Sequence, residues 1–115
     1  MKMIIAILQP TKLDTVRDAL AKLSVCRMTV VDAQGYGRQK GRTELFRGIE
    51  YGANLIRKVT LEIVVNDDYL DLTIDTLLQV AVTGKEGSFG DGKIFVLPVD
   101  EVVQVSDGTR GKEAV

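Results

Sequence analysis

The sequence predicts an α+β fold in which helices cover one face of an antiparallel sheet. Short runs rich in Ile, Val and Thr alternate with segments whose apolar residues recur at helical spacing. Tandem repeats of solenoid length are absent from the sequence. The chain has 115 residues, a length that suits one compact domain. We therefore interpret residues 1–115 as a single domain.

The first half of the chain predicts a strand, a helix and a second strand. Lys2–Leu8 is a short Ile-rich run that stops before Pro10, as expected of a buried strand. Thr11 can cap the helix that follows. The apolar positions of that helix are Leu13, Val16, Leu20 and Leu23. Arg27–Gln34 predicts the second strand.

The second half repeats this order. Val59–Val65 alternates and is β-branched, so it predicts a third strand, which forms a hairpin with the second. A second helix begins near Asn66, and its apolar stripe is Leu70, Ile74, Leu77, Leu78 and Ala81. Lys93–Leu97 is the fourth strand, and Val102–Val105 is expected to add a short edge strand. The βαββαβ order predicts the ferredoxin-like arrangement.

Helices on one face leave the other face of the sheet uncovered. We expect that open face to contain Ile4, Ala6, Leu8, Val64 and Ile94. Oligomerisation would bury such an apolar surface. The polar tail from about residue 106 to residue 115 is expected to be flexible.

Composition narrows the function. The net charge is −1, which gives no reason to expect nucleic acid as a partner. His is absent and no paired carboxylates stand out, so we do not expect an enzyme. Cys26 is the single cysteine, which fits a reducing compartment. The sequence shows no secretion signal and no apolar run of the roughly 20 residues that cross a bilayer, so we expect a cytoplasmic protein.

A long polar connection joins the second and third strands. It opens with Gly35–Gly41 (GYGRQKG), whose backbone amides and cations suit an anion or a small carboxylate. When this motif is taken alone, a solvated basic loop is the better explanation of it. Connections of this length in a small domain are usually functional or disordered, and we expect residues 37–55 to be mobile.

A second glycine-rich segment runs from Thr83 to Lys93. Glycines let backbone N–H groups approach phosphate oxygens, and a lysine adds a positive charge. The segment is not a Walker loop, because Ile94 follows Gly92-Lys93 where a Ser or Thr would be needed. When the segment is taken alone, an ordinary turn before a strand explains it better than a phosphate site does.

Taken together, these segments resemble the PII signal-transduction proteins. The resemblance covers nearly the whole chain in order, and its motifs are Lys2–Val16, Met28–Val30, GYGRQKG at 35–41, TELFRGIEY at 43–51, Lys58, Thr83-Gly84 and GDGKIF at 90–95. It implies a homotrimer with nucleotide sites between subunits. ATP and ADP would compete at these sites, and 2-oxoglutarate would join Mg²⁺-ATP.

The resemblance also implies roles for individual residues. Thr29, Glu62 and Val64 would line the adenine. The remaining nucleotide contacts would be Gly35, Gly37, Arg38, Gly90, Asp91, Gly92 and Lys93, with Thr83 and Gly84 shaping the phosphate loop. The 2-oxoglutarate and Mg²⁺ site would contain Gln39, Lys40, Gly41 and Lys58, where Gln39 reaches the metal only through Mg²⁺-ATP.

The loop at 37–55 would bind partners. Arg47 would form its tip and could enter the mouth of an ammonium transporter, which would be a peripheral membrane contact. Regulated enzymes of nitrogen metabolism are the other expected targets. Tyr51 would be the site modified by a uridylyltransferase.

Three departures separate the chain from the PII pattern. Glu86–Phe89 lengthens the phosphate loop. Gln104 and Ser106 replace two arginines that hold phosphates across the subunit boundary, and Arg110 is a candidate substitute that lies in a loose tail. Ile49 replaces a serine that is phosphorylated in some members. These departures leave open a divergent PII-like sensor that prefers ADP, AMP or another small anion and controls transport or carbon metabolism.

Overall fold

The computed structural model describes residues 1–25, 27–37, 44–46, 49–51 and 54–115. The strands in this part of the chain are β1 (Lys2–Leu8), β2 (Thr29–Gly37), β3 (Glu44–Phe46), β4 (Ile49–Tyr51), β5 (Asn54–Val65) and β6 (Gly92–Pro98). The α-helices are α1 (Leu13–Ala21) and α2 (Asp67–Val80). Short 3₁₀ turns span Pro10–Lys12 and Gly111–Ala114.

Four of these strands form one antiparallel sheet in the order β2-β5-β1-β6. This confirms the predicted ferredoxin-like α+β fold. The hairpin of β2 and β5 extends beyond the rest of the sheet, because Leu8 pairs with Val59 whereas Gly37 pairs with Asn54. Strands β3 and β4 form a separate two-stranded ribbon that the sequence did not predict.

Both helices pack on the same face of the sheet. Val16 and Leu20 of α1 and Leu77 of α2 are fully buried and belong to one apolar cluster. The sheet contributes Ile4, Ala6, Leu8, Val59, Leu61, Ile63 and Val65 to this cluster. Thr73 is the buried polar side chain of α2, and its hydroxyl donates to the Tyr69 carbonyl at 2.7 Å, so its burial carries no unpaired donor.

The predicted assignment of residues to the open face is mostly wrong. Ile4, Ala6 and Leu8 are buried beneath the helices, and Ile94 packs against the same core. Val64 does lie on the open face, because it alternates with buried Ile63 and Val65. Strand periodicity separates two faces but does not indicate which face the helices cover. The open face instead carries apolar residues that include Met3, Ile5, Ile7, Val64, Phe95 and Leu97.

The sequence predicted the positions of both helices correctly, but it was wrong about the cap of α1 and about one residue in the apolar stripe of α2. Thr11 does not cap α1, because it lies within the preceding 3₁₀ turn and Lys12 occupies the N-cap position. Asn66 is the N-cap residue of α2, although its side chain makes no capping hydrogen bond. Leu78 is 55% exposed and therefore lies outside the buried stripe that the sequence predicted.

The C-terminal segment differs from the expected edge strand. Val102–Val105 forms no strand, and only an isolated bridge joins Val103 to Arg110. The backbone N–H of Gln104 donates to the Thr109 carbonyl at 2.8 Å, which closes a turn between these positions. Ala114 is buried. The tail therefore carries more structure than its polar sequence suggested, while its flexibility remains a prediction.

Candidate functional site

The two glycine-rich segments meet at Lys58. This residue lies in β5 opposite Ala33 of β2, and its side chain is on the open face because Val59 points into the core. Its Nζ donates to the carbonyl oxygen of Gly90 at 2.6 Å. A Cβ atom at Gly35 would lie 3.4 Å from Lys58 Cγ, an ordinary van der Waals contact, so Gly35 lies directly beside the lysine stem.

Asp91 organises the loop that precedes β6. Its carboxylate accepts from the Thr83 hydroxyl at 2.6 Å, the Thr83 N–H at 3.0 Å and the Ser88 N–H at 2.7 Å. The Ser88 hydroxyl lies 3.3 Å from Asp91 Oδ1. Hydrogen bonds lower the pKa of Asp91 to about 2, and the largest effect comes from the Thr83 hydroxyl, with smaller ones from the Thr83 and Ser88 N–H groups. The carboxylate is therefore ionised throughout the neutral range.

Gly92 is required by the sheet itself. Its φ is +116°, and a Cβ atom there would lie 1.8 Å from the carbonyl oxygen of Ile7. No side chain fits at that distance, because β6 approaches the end of β1 backbone to backbone. Close packing therefore explains this glycine without any ligand, while its predicted phosphate contact stays a prediction.

The outer part of the loop faces solvent. Gly84 and Gly87 have positive φ values of +66° and +73°, which let the chain turn twice in a short distance. Phe89 is 95% exposed. Lys85 and Lys93 are also exposed, so two cations border the glycine-rich segment.

The residues expected to line an adenine lie together on the open face. Thr29 pairs directly with Glu62 across β2 and β5, and Val64 is two positions further along the same face of β5. Thr29 and Glu62 are exposed, and Val64 is half-buried. This patch places the apolar side chain of Val64 beside two polar side chains.

Gln9 is a site residue that sequence reasoning missed. Its Nε2 lies 3.4 Å from an oxygen of Asp91, and a Cβ atom at Gly90 would lie 3.4 Å from the same nitrogen. The available signal was its place between the apolar strand β1 and Pro10, since the end of that strand adjoins the start of β6. A polar residue at that position reaches the loop directly.

Several predicted site residues lie outside the described residues: Arg38, Gln39, Lys40, Gly41 and Arg47. The backbone of Tyr51 lies in β4, where it pairs with Glu44. The predicted Mg²⁺ contact, most of the 2-oxoglutarate site and the tip of the partner loop therefore stay predictions.

The C-terminal turn, residues 104–109, carries Gln104 and Ser106, the two positions where the PII pattern has arginines. The amide Nε2 of Gln104 donates to the Ser106 hydroxyl oxygen at 2.9 Å. Arg110 pairs with Glu101, so its guanidinium already has a carboxylate partner. Arg110 is thus engaged beside the C-terminal turn in this structure.

Within the described ranges, neither α-helix has the length and apolar character that crossing a membrane requires.

The model of the family "Nitrogen regulatory protein P-II" matches residues 1–109 of the chain. The nitrogen regulatory protein P-II of Klebsiella oxytoca is 49% identical over 115 residues, which covers 100% of both chains. The nitrogen regulatory protein P-II 1 of Escherichia coli K12 has the same identity and coverage. The nitrogen regulatory protein GlnK1 of Methanosarcina mazei is 44% identical over 115 residues, covering 100% of this chain and 97% of the relative.

The fold and these comparisons define a small regulatory protein rather than an enzyme. The chain belongs to the nitrogen regulatory protein P-II family.

Proposed function

We propose that this chain is a homotrimeric sensor of adenine nucleotides and 2-oxoglutarate that regulates nitrogen metabolism through the loop at residues 37–55. The observation that carries the proposal is the convergence of both glycine-rich segments on Lys58, whose Nζ reaches the Gly90 carbonyl at 2.6 Å. A ligand bound at this junction would contact the base of the partner loop and the phosphate loop together. Occupancy would then control the loop directly.

The open face supports adenine binding. Thr29 and Glu62 present polar groups beside the apolar side chain of Val64. Such a surface can stack a purine and hydrogen-bond its edge. The phosphates would extend toward Gly35 and Gly37 at the far end of β2, where the lysine ammonium of Lys58 is available.

The loop at 83–93 supports phosphate binding. Its glycines expose backbone N–H groups, and Lys93 supplies a positive charge at the start of β6. ATP and ADP would compete for this position, with Mg²⁺ bound together with ATP. Gln39 would complete the metal coordination.

Lys58 supports the binding of 2-oxoglutarate. Its ammonium faces a backbone carbonyl, which is a weaker partner than a carboxylate. A dicarboxylate would replace Gly90 as the acceptor. Gln39, Lys40 and Gly41 would supply the remaining contacts.

The apolar open face supports the trimer. Met3, Ile5 and Ile7 lie in a row along the central strand β1, and Phe95 and Leu97 continue the surface on β6. Phe95 is 48% exposed in the single chain. Burial against two further copies would remove this surface from water.

The relatives' names support a role in nitrogen regulation. The targets we propose are a regulated enzyme or an ammonium transporter, contacted through Arg47, with Tyr51 as the residue that a uridylyltransferase would modify. The protein would act in the cytoplasm.

The C-terminal turn favours the second candidate function, a sensor biased toward ADP or AMP. Gln104 bonds to Ser106 and Arg110 bonds to Glu101, so these three side chains already have partners in or beside the turn. A sensor with fewer cations near the terminal phosphate would respond less to ATP.

Calorimetric titration with ATP, ADP and AMP, with and without Mg²⁺ and 2-oxoglutarate, tests the proposal. Light scattering in the same buffer tests the trimer. We expect saturable ATP binding that 2-oxoglutarate tightens, on a particle near three times the 12.6 kDa chain mass. Absence of adenine nucleotide binding at millimolar concentration would refute the sensor function.

A further inference from the structure

We infer that Asp91 is a positioning residue, which holds the phosphate loop in its binding shape and makes no contact with the phosphate itself. The inference rests on the proposed nucleotide binding. It reassigns Asp91, which the resemblance had placed among the nucleotide contacts.

The contacts of Asp91 join separate parts of the loop. One carboxylate oxygen, Oδ2, accepts from the backbone N–H groups of Thr83 and Ser88. The other, Oδ1, accepts from the Thr83 hydroxyl at 2.6 Å. The beginning of the loop is thereby tied to its end across eight positions.

The carboxylate has little capacity left for a ligand. Within the described part of the chain it accepts five hydrogen bonds, counting the long one from Gln9. A carboxylate offers about four lone-pair sites. A metal ion or a ligand hydroxyl would have to displace one of these donors, and an unscreened carboxylate beside a phosphate would repel it.

The same contacts explain how the longer loop is accommodated. Ser88 belongs to the additional segment, and both its N–H and its hydroxyl point at Asp91. The residues before it turn outward through Gly84 and Gly87. The extra length therefore projects into solvent and ends at the exposed Phe89. The hydrogen bonds between Thr83 and Asp91 still join the two ends of the loop.

The direction in which Asp91→Asn changes ATP affinity distinguishes a positioning role from direct contact with the phosphates. Asp91→Asn removes the charge and replaces one acceptor by an amide donor, which opposes the N–H groups that now point at it. We expect it to weaken ATP binding about tenfold, as expected when charge-assisted hydrogen bonds that shape a site are lost. If Asp91 instead faced the phosphates, removing its charge would tighten ATP binding.

Adenosine provides the readout that a general loss of structure would not spare. It lacks phosphates, so we expect its affinity to change less than twofold in Asp91→Asn. Thr83→Val should act in the same direction as Asp91→Asn, and Thr83→Ser should bind ATP more tightly than Thr83→Val because it keeps the hydroxyl. Asp14→Asn is the matched control, since Asp14 accepts from the Arg17 guanidinium on the surface of α1 and not in the loop.

We call the hydrogen bonds that Asp91 accepts from Thr83 and Ser88 the brace. Hydrogen exchange in the nucleotide-free protein tests the brace separately. Asp91→Asn should speed exchange of the Thr83 and Ser88 amides by tenfold or more and leave the core amides of β1 unchanged. Unchanged exchange at both amides would overturn the inference. So would an ATP affinity in Asp91→Asn that equals or exceeds that of the wild type.

The two proposals fail differently. Wild-type protein that does not bind ATP refutes the sensor function, and the positioning role then falls with it. Wild-type protein that binds ATP, together with an Asp91→Asn variant that binds it equally well, refutes only the positioning role.

Discussion

Lys58 Nζ and the carbonyl oxygen of Gly90 lie 2.6 Å apart although the two residues are separated by 32 positions. The contact joins the hairpin of β2 and β5 to the loop before β6. A lysine ammonium bound to a neutral carbonyl retains its full charge and can exchange that partner for a carboxylate. The junction is therefore suited to report on an acidic ligand.

Replacement of Lys58 by Gln tests this junction. We expect the effect of 2-oxoglutarate on ATP affinity to disappear and exchange of the amides in residues 83–92 to increase, because the ammonium bonds to the Gly90 carbonyl and is the proposed partner of the 2-oxoglutarate carboxylate. Arg57→Gln is the control, since Arg57 is the adjacent cation of β5 and points to the opposite side of the strand. A Lys58→Gln variant that still responds to 2-oxoglutarate as the wild type does would contradict the role.

Gly92→Ala tests the backbone approach of β6 to β1. The new Cβ would lie 1.8 Å from the Ile7 carbonyl oxygen at a φ of +116°. We expect a loss of more than about 2 kcal/mol in the free energy of unfolding, because the strands must separate. Urea denaturation measures this loss.

The control for Gly92 is Gly108→Ala. Gly108 also has a positive φ, +74°, but a Cβ atom added there would meet no other atom within 4 Å. Only the conformational penalty of about 1 kcal/mol remains at this position. Equal losses for the two variants would show that the contact with Ile7 does not constrain the sheet.

The fold could be predicted because its signals are local. Ile-rich alternation and helical spacing identify β1, β5, α1 and α2 from neighbouring residues alone. Which face of the sheet is covered is a tertiary property. Ile4 and Ile5 are identical in chemistry, yet Ile4 is fully buried and Ile5 is partly exposed on the open face. Only the position of the helices distinguishes them.

Residue types in the sequence indicated candidate site residues but not the contacts between them. The glycines and lysines of both loops predicted anion-binding segments from their chemistry, and that binding stays a prediction. The hydrogen bond between Lys58 and Gly90, and the approach of Gln9 to Asp91, join residues far apart in sequence. No periodic pattern encodes such contacts, so the brace at Asp91 required the structure.

The low pKa of Asp91 predicts a specific acid response. Hydrogen bonds, led by that from the Thr83 hydroxyl, lower it from 3.8 to about 2. A carboxyl whose folded pKa is depressed stabilises the folded state above its ordinary pKa, and this contribution is lost as pH falls toward the folded value. The brace should therefore hold above pH 3.8 and weaken progressively toward pH 2.

Carboxyl carbon NMR measures this titration. A range from about pH 1.5 to about pH 6 spans both the usual Asp pKa of about 4 and the depressed pKa of Asp91. Thr83→Val should raise the pKa of Asp91, because its largest stabilising partner is removed. Asp107 provides an internal reference, since its pKa is lowered by the Thr109 N–H and should not respond. An Asp91 midpoint at its ordinary value in the wild type would contradict the geometry.

Phe95→Glu tests the open face as the surface between subunits. A charge in the centre of a buried apolar interface is costly, so we expect the proposed trimer to dissociate. Leu72→Glu is the matched control, because Leu72 on α2 is 48% exposed, the same fraction as Phe95. Analytical ultracentrifugation distinguishes the species. A Phe95→Glu variant that keeps the wild-type mass would exclude this face as the interface.

The C-terminal turn bears on the preference for ATP or ADP. Gln104 and Ser106 bond to each other at 2.9 Å and supply no charge to a phosphate. Arg110 is paired with Glu101, so it would have to leave that partner to replace the missing cations. A γ-phosphate adds charge that must be matched when it is desolvated. We therefore expect the preference for ATP over ADP to be less than tenfold, a difference of about 1.4 kcal/mol.

Two variants test which residues set the preference for ATP over ADP. The double change Gln104→Arg and Ser106→Arg should strengthen ATP binding far more than ADP binding, because the new charges reach the terminal phosphate. Glu101→Gln releases Arg110 and should strengthen ATP only if Arg110 is near the phosphates. Calorimetry with both nucleotides measures each ratio. If the wild type already binds ATP more than tenfold tighter than ADP and the double change leaves both affinities flat, other residues have replaced the missing arginines. Lys85 is then the first to test, because it is the exposed cation of the lengthened loop.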